Sequence, residues 1–141
     1  MSGRWPPDSS LIYPFLVDGE SLAAAGLLEA LSRASVMLAE LRHPFARSEP
    51  FSYFLPPAGA RVGVNLTLPD GREVRFEVSI AAFAGAFHVE GSITAEDETL
   101  LELPRKSVPN VHDALAVLDD YAGEVVAPAG RLIDQQLDEI V

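Results

Sequence analysis

The chain contains no cysteine, and this absence removes several kinds of chemistry at once. Disulfide bridges, thiolate nucleophiles and zinc or iron–sulfur centres held by cysteine are all excluded. The absence also fits a reducing compartment. Residues 1–17 show no secretory signal, because the short apolar run Leu11–Val17 is interrupted by Pro14. We therefore expect a cytoplasmic protein.

Basic residues are scarce in the second half of the chain. Residues 90–141 carry twelve acidic side chains against only Arg105, Lys106 and Arg131, and the whole chain has a net charge of −11. Such a field repels nucleic-acid phosphates and anionic lipid surfaces, so we expect neither nucleic acid nor membrane as a partner. It attracts a basic protein partner. The alternative is that the charge only keeps the protein soluble.

Long apolar runs are also missing, but alternating apolar and polar residues predict an antiparallel sheet in the middle of the chain. Residues 61–68 and 73–80 alternate with a period of two on either side of the turn sequence Pro69-Asp70-Gly71. Residues 86–94 and 99–103 follow as a third and a fourth, shorter strand. The predicted apolar face consists of Val64, Leu66, Val74, Phe76, Val78, Phe87, Val89 and Leu101.

Helical spacing of apolar residues flanks this predicted four-stranded β-meander. Asp18 is the expected N-cap of a long helix that runs to about Arg42 and is stopped by Pro44. Asn110 is the expected N-cap of a C-terminal helical segment. Three helix-breaking residues predict that this segment is either one kinked helix or two helices: Gly123, Pro128 and Gly130. The prediction is a single two-layer α+β domain over residues 1–141.

Two segments are predicted to lack regular structure, residues 1–17 and the proline- and aromatic-rich linker 44–60. Within the linker, the alternation of Phe51, Tyr53 and Leu55 also permits a short edge strand. Seven of the eleven aromatic residues precede residue 55. Aromatic side chains on proline-stiffened loops either form a binding surface or cover the open edge of a small core.

His88 and Glu90 are the most suggestive pair of metal-ligand types, because residues two apart on a strand share one face. Catalytic zinc needs at least three protein ligands, and neither of the other two histidines stands at strand or helix spacing from His88. The alternative is a pair on the solvent side of the sheet, with Glu90 bound across the sheet by Arg75 or Arg61. We therefore expect no metal and no cofactor.

Motifs for covalent catalysis or phosphate binding are absent from the sequence. There is no Gly-x-Ser-x-Gly elbow and no glycine-rich phosphate loop. The adjacent carboxylates Asp119 and Asp120 lie on an amphipathic helix, where such pairs commonly serve solvation. We expect a non-catalytic protein.

The leading functional hypothesis is a small acidic module, homodimeric, that binds another protein through its acidic C-terminal half or its aromatic loops. The layout and the charge resemble those of small bacterial secretion chaperones and toxin-immunity proteins, without any shared motif. The acidic residues that would form one continuous surface are Glu96, Asp97, Glu98, Asp119, Asp120, Asp134 and Asp138.

The alternative hypothesis is a small-molecule pocket, binding or catalytic, between the sheet and the helices. Its expected lining residues are Tyr53, Phe54, His88 and Tyr121.

Overall fold

A computed structural model of the chain describes residues 19–55, 59–96 and 98–140, with side chains from Gly26 onward apart from Leu55. The predicted irregular segment 1–17, the expected N-cap Asp18 and the acidic residue Asp97 lie outside the described residues. The elements, in chain order, are α1 (Gly19–Ala39), β1 (Arg47–Leu55), β2 (Gly59–Thr67), β3 (Glu73–Phe83), β4 (Ala86–Ala95), β5 (Glu98–Val108), α2 (Val111–Val126) and α3 (Ala129–Asp138).

The sheet is an antiparallel meander in the order β1-β2-β3-β4-β5, so the α+β class and the antiparallel sheet are confirmed. The predicted count of four strands is wrong. The segment assigned to a linker contains β1, which pairs with β2 without a break from Arg47 opposite Thr67 to Leu55 opposite Gly59. Pro50 is tolerated there because β1 is an edge strand, where a missing N–H donor need not cost a ladder bond.

The fifth strand in the chain also runs further than predicted, because Pro104 does not end it. β5 continues to Val108, and the ladder absorbs the proline through a register shift: Val89 opposes Lys106 whereas Gly91 opposes Leu103. Two residues of β5 therefore face the single residue Glu90, which is the arrangement of a β-bulge. An edge strand accommodates both the bulge and the proline.

One face of the sheet is covered by α1 and α2. α1 packs against β1 and β2, and α2 packs against β3, β4 and β5. The residues that the alternation placed inward are buried in β2 and β3, and Phe76 is fully buried, as predicted. Phe87 is only partly buried, although it packs against the same core. Burial of these side chains supplies most of the stabilisation of such a domain.

The C-terminal helical segment consists of two helices, one of the two arrangements that the sequence permitted. The Asn110 side chain accepts a hydrogen bond of 2.9 Å from the backbone N–H of Asp113, which confirms it as the N-cap of α2. Gly123 lies inside α2, and the break occurs at Ala127 and Pro128. In the described part of the chain, no helix is both long and apolar enough to cross a membrane.

The second of these helices, α3, is fastened to the β2–β3 turn by Arg72. The guanidinium donates to the Gln136 side-chain carbonyl at 3.0 Å and to the Gln136 backbone carbonyl at 2.9 Å. It also lies 3.6 Å from the Glu139 carboxylate and 2.8 Å from Asp70. His43 adds a second link, with Nε2 2.8 Å from Asp134. α3 therefore closes the end of the sheet at which the β2–β3 turn lies.

Candidate functional site: the open face of the sheet

The open face is the side of the sheet on which none of the helices of the described residues lies. It presents the outward half of each alternating strand, and the facing pairs follow from the ladder register. The middle of this face is polar and charged, in contrast to the helix-covered side, and the aromatic side chains of Phe51, Tyr53 and Phe83 stand at its margins. Its central residues are Arg61, Asn65, Arg75, Glu77, Ser79, His88, Glu90, Ser92 and Thr94.

The β5 bulge shapes one part of this face. Arg105, brought opposite Glu90 by the register shift, donates from Nε to the Glu90 carboxylate at 2.8 Å. On the other side of the sheet, the hydroxyl of Tyr121 in α2 donates to the backbone carbonyl of Pro104. The bulge is thus held from both faces of the sheet. Tyr121 binds the Pro104 carbonyl on the helix side, and Arg105 binds Glu90 on the open face.

A cleft of about 370 Å3 lies over β2–β5 on the open face, beside the bulge. We call it the carboxylate cleft, because three glutamates line it against two arginines. Its two serines are small enough to leave room between the charged side chains. The charged and hydroxyl residues that line the carboxylate cleft are Arg61, Glu77, Ser79, Glu90, Ser92, Glu102 and Arg105.

Glu77 is the residue of the carboxylate cleft whose polar atoms are least satisfied. Its Oε1 is buried and has no hydrogen-bond partner among the described residues. Arg75 lies 3.8 Å from Oε1 and Arg61 lies 3.7 Å from Oε2, which are ion-pair distances too long for hydrogen bonds. A carboxylate oxygen removed from water without a donor is held at a cost in free energy. A donor that enters the cleft can relieve this cost.

Arg75 is occupied on its other side by an aromatic ring. Its guanidinium lies 4.4 Å from the ring centroid of Phe51, a cation–π contact, and its Nε donates to Asn65 at 3.2 Å. The Phe51 ring in turn lies over Gly63, its cross-strand partner. Arg75 is therefore held in place beside Glu77 without donating a hydrogen bond to it.

The structure places the predicted pair His88 and Glu90 on the open face, but both are already engaged. Nε2 of His88 lies 3.1 Å from the Phe83 carbonyl, which can only accept, so this nitrogen carries the proton. Nδ1 lies 2.7 Å from the Ser107 hydroxyl. Glu90 is bound by Arg105 and not by Arg75 or Arg61, because the bulge brings Arg105 opposite it. No group of metal-ligand residues that could hold an ion occurs among the described residues.

The four expected lining residues of an internal pocket do not converge. Tyr53 and Phe54 are adjacent on β1, so their side chains point to opposite faces, and both are half exposed. His88 lies on the open face, whereas Tyr121 is buried in the helix layer. Burial raises the pKa of Tyr121, and the charge of Glu124 raises it further, so the phenol keeps the proton that it donates to Pro104.

The predicted acidic surface is divided among several contacts. Asp119 and Asp120 are exposed on α2, and Asp119 accepts a 3.2 Å hydrogen bond from Arg33 of α1. The acidic β4–β5 turn and α3 meet the same end of the sheet, because Glu96 accepts from the backbone N–H of Glu73 at 3.3 Å, next to the α3 anchor Arg72. Negative charge therefore collects at this end, while Asp119 contributes to the joint between the two long helices.

At the same end, Asp70 is the carboxylate with the clearest perturbation. The backbone N–H of Arg72 donates to it at 3.1 Å and lowers its pKa, and the Arg72 guanidinium lowers it further. The same pairing raises the pKa of Arg72. The turn is consequently stabilised by the charged form of Asp70.

Sequence reasoning identified Glu90 and named Arg61 as one of its two expected partners, but it missed the other charged residues of the carboxylate cleft: Glu77, Glu102 and Arg105. The signal for Glu77 was present, because the Pro69-Asp70-Gly71 turn fixes the β2–β3 register and puts the polar halves of both strands on one face. The signal for Glu102 and Arg105 was hidden, since their placement depends on the bulge at Pro104.

Comparison of the chain with protein-family models, curated proteins and solved structures gives no significant match.

Proposed function

We propose that this protein is a non-catalytic binding module that receives a basic side chain of a partner protein in the carboxylate cleft. The observation that carries the proposal is Glu77, which lines the carboxylate cleft and whose Oε1 is buried without a hydrogen-bond donor among the described residues. An arginine or lysine side chain supplies N–H donors and a positive charge, and it has no acceptor that would compete with Glu77.

The charge of the site and of the chain favours the same class of ligand. Three glutamates and two arginines leave one unbalanced negative charge in the cleft. The chain as a whole carries −11, so its field attracts cations and opposes the approach of anions to Arg61 and Arg105. Charge-assisted hydrogen bonds to a carboxylate are stronger than neutral ones.

The position of the cleft suits a partner protein. It lies on an exposed sheet face, where a side chain can enter from solvent without any movement of the helices. Its volume of about 370 Å3 falls at the lower end of the range of small-ligand sites. A free amine or guanidine compound would present the same group, so the experiment has to separate a partner's side chain from a small cation.

The test is a titration of the protein monitored by heteronuclear NMR. The three probes are acetyl-arginine amide, acetyl-lysine amide and a basic hexapeptide. We expect all three to shift the amide signals of β3, β4 and β5 around the cleft, with the peptide binding most tightly. Glu77→Gln keeps the shape of the side chain and removes its charge. It is expected to weaken binding about tenfold, equivalent to about 1.4 kcal/mol.

The matched control is Glu124→Gln, which removes the same charge from the exposed surface of α2. If general electrostatic attraction alone binds the probes, the two variants weaken binding equally and the proposal fails. The double variant Asp119→Lys, Asp120→Lys tests the α2 carboxylates in the same way. If it abolishes peptide binding while Glu77→Gln does not, the binding surface lies on α2.

The predicted homodimer stays a prediction. The middle of the open face, which the sequence left available for a second copy, is charged, so it offers little apolar area for a stable dimer. Of the exposed apolar side chains, Tyr53 and Phe83 stand at the margins of the open face, and the others belong to α1, to β1 and to the segment between them.

A further inference from the structure

Ser107 and His88 form a hydrogen-bonded pair on the open face, apart from the residues that line the carboxylate cleft. They face each other across β4 and β5, and Nδ1 of His88 lies 2.7 Å from the Ser107 hydroxyl oxygen. Because Nε2 donates its proton to the Phe83 carbonyl, Nδ1 carries no proton in the neutral ring and accepts. The Ser107 hydroxyl therefore donates to His88, which is the direction that a general base requires.

The imidazole of His88 is held in this orientation by Phe83 in two ways. The Phe83 ring stacks on it, with centroids 4.0 Å apart and an interplanar angle of 23°. The Phe83 carbonyl binds Nε2 at 3.1 Å and so fixes the tautomer. A nucleophile, a base and a group that orients the base thus stand in sequence: the Ser107 hydroxyl, the His88 imidazole and the Phe83 carbonyl.

The turn that follows Phe83 carries backbone strain. Ala84 and Gly85, which connect β3 to β4, have φ angles of 54° and 75°. Positive φ at both positions is typical of a type I′ hairpin turn, where asparagine and glycine are favoured. Alanine is strained there because its Cβ approaches the following carbonyl oxygen. Such strain clusters at functional positions, and here it adjoins the residue that orients His88.

Ser107 is open to a reagent from solvent. It is exposed on the edge strand β5, and Arg105 stands two positions before it on the same strand. The Arg105 guanidinium lies 6.0 Å from the centroid of the Phe83 ring on which His88 is stacked. A positive charge beside the pair stabilises the negative charge that develops on a carbonyl oxygen under attack.

We propose that Ser107 is a nucleophile, activated by His88, that takes an acyl group from an activated ester. In this step, Oγ bonds to the ester carbonyl carbon while its proton passes to Nδ1 of His88. The bond from that carbon to the leaving oxygen then breaks, and the leaving group takes up the proton. The products are an acyl ester of Ser107 and the free alcohol of the reagent. Each chain is modified once, so the step goes beyond the binding role and requires no turnover.

The test treats the protein with p-nitrophenyl acetate and follows each serine against time by peptide mass mapping. We expect Ser107 to be acetylated at least about a hundredfold faster than Ser52, the lower end of what general-base assistance adds. Ser52 is the matched internal comparison, because it is exposed on the other edge strand, β1. Both serines react in the same sample, so this comparison does not depend on the folding of any variant.

Three variants separate the pair from ordinary surface reactivity. His88→Gln removes the base and should slow acetylation of Ser107 about a hundredfold, whereas His112→Gln, exposed on α2, should leave it unchanged. Far-UV circular dichroism verifies that the variants are folded. Equal rates for Ser107 and Ser52, or an unchanged rate in His88→Gln, would overturn the proposal. So would release of p-nitrophenol by Ser107→Ala at the wild-type initial rate, because the imidazole would then react by itself.

Discussion

The two faces of the sheet are built from the same strands and differ in what their side chains do. On the helix-covered face, Val64, Phe76 and Val78 are buried against α1 and α2 and hold the fold together. On the open face, the alternate residues of those strands include the charged side chains of Arg61, Arg75 and Glu77, and Glu77 keeps a buried oxygen without a donor among the described residues. Core packing accounts for the apolar residues of the helix-covered face. It does not account for the free-energy cost of holding the Glu77 oxygen on the open face without a donor. Such a local cost is typical of a functional position.

The largest loss of stability is expected for a substitution on the helix-covered face, at Phe76. Its side chain is fully buried between the sheet and the helices. Phe76→Ala should lower the free energy of unfolding by about 3–5 kcal/mol, measured by urea denaturation. Ser79→Ala, at the same strand but on the open face, is the control and should change stability by less than about 1 kcal/mol. Similar losses for both would mean that the open face is covered in solution.

The second prediction uses two glycines with opposite surroundings. A Cβ at Gly63 would lie 2.6 Å from Cζ of Phe51 and would also collide with the Phe76 carbonyl, whereas a Cβ at Gly123 in α2 has open space. Gly63→Ala should therefore cost about 1–3 kcal/mol. Gly123→Ala should stabilise the protein by about 0.4–1 kcal/mol, because alanine restricts the unfolded chain and favours the helix. Thermal unfolding measures both effects. If both substitutions shift the melting temperature in the same direction, the two glycines do not have the different surroundings described here.

How far the sequence predicted this structure depended on whether the deciding interactions were local. Alternation and a turn located the β2–β3 hairpin, and a side-chain cap located the start of α2. β1 was assigned to a linker in which only a short edge strand was permitted, and β5 was ended at Pro104, because the prolines were expected to limit both strands. Both strands lie at an edge of the sheet, where proline is tolerated. Strand order is a tertiary property that no local pattern reveals.

The candidate site was less predictable than the fold for a related reason. Glu90 was identified by its spacing from His88, but the predicted partner, Arg75 or Arg61, was wrong. A one-residue bulge brings Arg105 opposite Glu90 instead. Glu77 was visible only as one polar position in an alternating strand. Glu77 matters because its Oε1 has no hydrogen-bond donor among the described residues. That property depends on how far the carboxylate lies from Arg61 and Arg75, and the sequence alone does not give these distances.

The third prediction concerns acid and the end of the sheet that α3 closes. The pKa of Asp70 is lowered in the folded state, so its stabilising contribution is complete above its ordinary pKa of about 3.9 and is lost as the pH falls through the lower folded value. Wild type should exceed Asp70→Asn in stability at neutral pH, and the difference should shrink in acid below about pH 4. Urea unfolding from pH 7 to pH 2.5 measures this difference. A constant gap would show that charge on Asp70 does not stabilise the turn.

The most direct test of the account measures stability and binding on one variant, Glu77→Gln. If Glu77 serves binding, its charge is dispensable for folding, and the free energy of unfolding should stay within about 1 kcal/mol of wild type or rise. Affinity for the basic hexapeptide should fall about tenfold in the same preparation, with Glu124→Gln close to wild type. A large loss of stability with unchanged peptide affinity would contradict the account, because it would make Glu77 a structural residue and leave the open face without its proposed role.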